Sequence, residues 1–187
     1  MTKNQFLFLL VIIICAVIVA NISASIYVIS MLFTEMSFAL IVVGIGYLVG
    51  KSVLNLQLLY LFILSPTTKS VFPMNEVKSY ASFSQYAAVI AAVVSAYGVL
   101  LGDFIYAVIA YNEDGTPYTG EYVYLEIFLV PFEFLLMPIT TITFLFAVFT
   151  SYFDFANDFM YSFLSLFFLG FAMYLGYVSA RGFNSEA

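Results

Sequence analysis

Long, nearly uncharged apolar runs divided by short polar breaks make up almost the whole chain, and this pattern sets the solvent before anything else. Runs at about 5–33, 37–64, 80–111, 122–150 and 159–180 are each long enough to cross a hydrocarbon layer, which takes about 20 helical residues. Hydrophobic residues reach 64% and charged residues only 9% of the 187, too few polar groups to clothe such a chain in water. In lipid a backbone must satisfy its own polar groups, so only helices and closed barrels are available. Barrel strands are short and alternate in polarity. These runs are long and uniformly apolar, which favours helix. The expected fold is an all-α integral membrane protein: a polytopic bundle of about five transmembrane helices, forming a single domain over residues 1–187. A six-span alternative divides 5–65 into three crossings, but it buries Glu35 within a span.

The first run has the outline of a signal peptide, with Lys3, an apolar stretch and then small residues. It continues through Ile26 to Phe33 and so reads as a first span. The Asn21-Ile22-Ser23 sequon lies inside that span and is expected to carry no glycan. Lysine and arginine distribution sets orientation. With five spans, Lys3, Lys69 and Lys78 share one face and Arg181 lies on the other. The N-terminus is then expected in the cytoplasm, and loop 112–121, carrying Glu113, Asp114 and Glu121, outside.

Composition excludes much chemistry. Histidine is absent and Cys15 is the single cysteine. Histidine-ligated haem, copper or zinc, iron–sulfur clusters and nucleophile–histidine dyads are therefore excluded, and no cofactor or metal is expected. Cys15 follows Val11, Ile12, Ile13 and Ile14 and reads as a small buried hydrophobe. A net charge of −6 disfavours nucleic acid. Tryptophan is absent, so fifteen tyrosines must supply any interfacial belt.

The stretch from Gly44 to Ser52 resembles a phosphate-binding loop only superficially. Gly44 leaves five residues before Gly50-Lys51-Ser52 and Gly46 leaves three, where that loop needs four. A membrane motif fits better: Gly46 with Gly50, and Gly98 with Gly102, are GxxxG pairs suited to close helix packing. Lys51 and Asp103 follow the two pairs directly. With Glu133 they fall near mid-span, where an uncompensated charge costs about 2.5–3.5 kcal/mol. They are expected to converge as a buried cluster, serving either as a structural pair or as an ion or proton path.

In the fourth run, Glu126, Glu133 and Thr140 recur every seven residues and share a helix face. Pro131 and Pro138 have the same spacing and are expected to kink the helix and disturb the carbonyls of Ile127 and Phe134. Asp154, Asn157 and Asp158 read as a solvated turn with an N-cap for the last helix, whose Phe-rich face from Phe159 to Phe171 suits lipid or a partner.

The functional expectation is a non-catalytic membrane subunit of a larger energy-converting, oxidase-type or translocation assembly. Its partners are the lipid bilayer and other membrane subunits, with a homo-oligomer as a further form. The alternative is a small oligomeric proton or cation channel or transporter using Lys51, Asp103 and Glu133. An embedded enzyme ranks third, since no nucleophile stands out.

Overall fold

Among the described residues of a computed structural model, five helices have defined bounds: α1 (Lys3–Thr34), α2 (Ala39–Leu64), α3 (Met74–Ile109), α4 (Pro138–Ser151) and α5 (Phe159–Arg181). The structure describes residues 3–34, 39–64, 74–109, 127, 129–131, 133, 136–156 and 158–181, with no strand among them. Helices α1, α2, α3 and α5 are long and apolar enough to cross a membrane. Helix α3 starts six residues before the expected span at 80, immediately after Pro73. A proline costs little at a helix start because the first amides have no intrahelical acceptor. Glu76 and Lys78, which precede the expected span, therefore sit in the opening turns of α3.

Contacts between helices fix their directions. At one end the rings of Phe8, Tyr60 and Phe83 pack with centroids 4.7 Å (Phe8–Tyr60) and 4.9 Å (Tyr60–Phe83) apart. Further along, Gly98 lies against Ala20 and Ile45. Beyond that, Tyr27 lies against Gly102 and bonds Asp103. Residue numbers therefore rise together along α1 and α3 and fall along α2. On α5 the partners of Gly46, Gly50 and Gln57 are Ala172, Gly176 and Ala180, so α5 runs parallel to α2. The four long helices alternate up, down, up, down.

Helix α3 ends and α5 begins at the same end of the bundle, so the chain between them makes no net crossing. Its described part runs in and back. Ser25 Oγ donates to the Ile127 carbonyl at 3.0 Å and Asn21 Nδ2 to the Pro131 carbonyl at 3.1 Å, so 127–131 descends beside α1. Tyr152, just past α4, reaches Asp103 at the level where the descent began. The expected continuous span at 122–150 is corrected accordingly. Met137 leaves the helical region, with φ −123° and ψ 64°, and Pro138 opens a new helix. Proline disfavours helical backbone in the residue before it and supplies no amide to the preceding turn. Pro131, by contrast, sits among helical residues; the carbonyl four residues before it, at Ile127, is the one that Ser25 caps.

Small residues set the spacing. Ala16, Ala20 and Ala24 of α1, Ala87, Ala88 and Ala91 of α3, and Ala172 and Ala180 of α5 are fully buried. A Cβ at Gly46 would collide with the Ala172 carbonyl, one at Gly50 with Gly176 and Ser179, and one at Gly176 with Ser95 and the Ala91 carbonyl. The α2–α5 and α3–α5 contacts are thus backbone against backbone. Many large apolar side chains point outward: Phe62 is 80%, Ile139 81% and Leu136 83% exposed. Along α5 the exposed rings of Phe159, Phe163, Phe167, Phe171 and Tyr174 form a stacked ladder with centroids 6.2–6.4 Å apart.

Gly44, with open space where its Cβ would stand, supplies the internal control. Gly176→Ala and Gly46→Ala should each destabilise the fold by about 1–3 kcal/mol, the usual cost of overpacking, whereas Gly44→Ala should be neutral or mildly stabilising. Thermal unfolding in detergent, with all three variants side by side, measures the contrast.

Candidate functional site

Asp103 lies six residues before the end of α3, about 9 Å along the helix axis. Tyr27 of α1 donates its hydroxyl to one carboxylate oxygen at 2.8 Å, and the hydroxyl of Tyr152 donates to the other. One side chain thereby ties α1, α3 and the returning segment after α4. Tyr152 is almost fully buried, so this clasp holds the excursion against the bundle. Gly102 makes it feasible: a Cβ there would occupy the space of the Tyr27 ring. Phe104 stacks on Phe144 of α4, with centroids 5.0 Å apart.

Beside the clasp is a partly enclosed cavity of about 250 Å³. Asp103, Tyr106, Tyr161 and Ser165 line it together with Tyr27 and Tyr152, and Met31, Val42, Val99, Leu164 and Phe168 supply apolar wall. The backbone amide of Tyr161 donates to Asp158 Oδ1 at 2.9 Å, capping the start of α5. That cap positions the tyrosine at the cavity; Asn157 lies outside the described residues.

The expected charge cluster does not assemble. Lys51 and Glu133 are both exposed, and neither lines the cavity. Helical phase explains this. Gly50 and Val49 face inward, so Lys51, one residue and about 100° further round, turns outward. Ile127 and Pro131 face α1 and are buried, which sends Glu133, two residues on, to the opposite side. Thr140 is likewise exposed. Glu126 and Phe134 lie outside the described residues. Cys15 is half-buried rather than buried. No metal-binding group of histidine, cysteine and acidic residues occurs among the described residues.

Sequence reasoning passed over Asn21, Ser25, Tyr27 and Tyr152. Asn21 is fully buried: its Nδ2 donates to Pro131 and its Oδ1 accepts from the Tyr97 hydroxyl at 2.9 Å. A polar stripe at Asn21 and Ser25, four residues apart in an otherwise apolar helix, was the available signal. Nothing comparable marked Tyr152, which stands in a stretch that reads as a solvated link. Comparison with protein-family models, curated proteins and solved structures yields no match to this chain.

Tyr152→Phe should cost about 1.5–3 kcal/mol, the range for a hydrogen bond to a charged group. The loss should shrink in an Asp103→Leu background, where no acceptor remains. A double-mutant cycle on unfolding free energies measures that coupling; additive losses would separate the two residues.

Proposed function

We propose that this chain is a multi-pass integral membrane protein acting as a non-catalytic subunit of a larger membrane assembly. The observation that carries the reading is the outer face of the broken segment, where Glu133 and the non-helical Met137 are both exposed. Glu133 stands about 17 Å along the bundle from the Phe8 level and Lys51 about 13 Å, on 1.5 Å per residue. Both distances fall near the middle of a hydrocarbon core about 30 Å thick. Charges there are costly. Irregular backbone at that depth is tolerated only against protein or a wet cavity. A neighbouring subunit that covers 133–142 and presents a cation to Glu133, and another that meets Lys51, would remove both costs. The competing path for protons or cations past Lys51, Asp103 and Glu133 has less support, because of the three only Asp103 lines the cavity described above.

The topology we infer has four crossings and one excursion that returns to its own side. It gathers Lys3, Lys69, Lys78 and Arg181 at one end, which under the positive-inside rule is cytoplasmic. Loop 112–121 is then extracytoplasmic. With Cys15 replaced, single cysteines at Thr68 and Asn184 should resist an impermeant thiol reagent added to intact cells, and one at Thr116 should react. Labelling at Asn184 together with Thr116 would restore a fifth crossing.

Assembly is tested by charge. Lys51→Glu or Glu133→Lys should reduce the mass of the complex isolated in mild detergent, while Phe62→Leu on the same outer surface should not. If a second copy supplies the opposing charge, the doubly reversed chain regains assembly; if other subunits do, it does not. A chain that remains a monomer with unchanged stability in all variants would overturn the subunit reading.

A further inference from the structure

In its ionised form Asp103 brings to this cavity a negative charge that no cationic side chain among the described residues neutralises. Both carboxylate oxygens accept from phenol hydroxyls, which orient and partly solvate the charge without cancelling it. Among the described residues no cationic side chain lines the cavity. Lys51 faces outward on α2. Arg181 ends α5 at the opposite end of the bundle, with its guanidinium 6.0 Å from the centre of the Tyr177 ring.

We propose that this cavity binds a small organic monocation, an ammonium bearing apolar substituents. Three features select that class. Asp103 lines the space and is not fully buried, so its ionised carboxylate would act directly on an occupant. Four tyrosines and Phe168 supply aromatic surface, and aromatic faces attract weakly hydrated cations. Met31, Val42, Val99 and Leu164 complete an apolar wall that suits alkyl groups and offers no ligands to a hard metal ion. Calcium takes six to eight oxygens and magnesium a full octahedron, whereas this lining provides a single carboxylate, its oxygens already engaged, with only neutral hydroxyls beside it. A neutral occupant leaves the charge uncompensated, and an anion is repelled. The cavity, about 250 Å³, equals roughly eight waters at their liquid volume, enough for an ammonium with a few short substituents.

This site is independent of the subunit reading, since it needs only the folded chain. The test is equilibrium dialysis of radiolabelled choline against the full chain in detergent micelles, with competition by unlabelled compounds. Saturable binding near one choline per chain is expected, displaced by tetraethylammonium. It should not be displaced by sodium at equal ionic strength or by 3,3-dimethylbutan-1-ol, which has choline's shape without its charge. Asp103→Asn should weaken binding at least tenfold. Because that change also disturbs the clasp, Ser165→Phe provides the second arm: it fills the cavity, leaves Asp103 and its two tyrosines in place, and should abolish binding while the melting temperature holds. Phe62→Leu, on the outer face of α2, should leave binding unchanged. Equal displacement by sodium or by the neutral alcohol, no saturable choline binding by the folded chain, or full binding in Ser165→Phe would each overturn the proposal.

Discussion

The break between Met137 and Pro138 governs the rest of the architecture. A continuous helix over the fourth apolar run would have carried the chain to the opposite end of the bundle and reversed α5. Instead Met137 leaves the helical region and Pro138 starts α4 in a new direction. The chain comes back to the level of Asp103, and α5 then runs parallel to α2. Parallel packing of two helices distant in sequence is what brings Gly46 and Gly50 against Ala172 and Gly176. The seam between α2 and α5 is thus a consequence of a proline about ninety residues along the chain from Gly46 and Gly50.

Such a turn-back inside an apolar body leaves polar backbone to satisfy, and α1 supplies the partners. Ser25 bonds the Ile127 carbonyl, which faces a proline where its own helical donor should be, and Asn21 bonds the Pro131 carbonyl. Tyr97 fixes the other end of the Asn21 amide, so its orientation is dictated from two sides. The last anchor is the Tyr27–Asp103–Tyr152 clasp. Hydrogen bonds of this kind gain strength in a low-dielectric interior, and an unmade one costs correspondingly more. A handful of polar groups therefore does the positioning that apolar contacts, which are non-directional, leave undetermined.

Helicity and the apolar spans were legible because period and length are local properties of the chain. The last span, read at 159–180, corresponds to α5 at Phe159–Arg181. Both proline positions were also visible, but not that one would be absorbed and the other would end a helix: that depends on Ser25, over a hundred residues away, capping the Ile127 carbonyl. Depth alone suggested that Lys51, Asp103 and Glu133 would meet. Depth is a one-dimensional coordinate, and the missing one was azimuth: adjacent helix positions differ by about 100°, so Gly50 can face α5 while Lys51 faces away. Tyr152 was hidden for another reason. Its surroundings, with Asp154 and Asp158 nearby, have the composition of a solvated turn, yet its own ring is buried.

The three mid-depth charges divide into two physical classes, and that division links the two proposals. Asp103 points inward, where phenol hydroxyls and a cavity meet it, so its compensation comes from within the fold and from what the cavity holds. Lys51 and Glu133 point outward, and no ion-pair partner stands beside them among the described residues. In a bilayer, lysine can extend toward the interface on its long apolar stem. Glutamate is shorter, and Glu133 stands beside a helix break whose neighbours Leu136, Met137 and Ile139 are bare. The heavier demand for a partner therefore falls on the excursion rather than on α2. In the assembly proposed above, the first contact with this chain falls at the broken segment, on the face opposite the contact with Asn21 and Ser25.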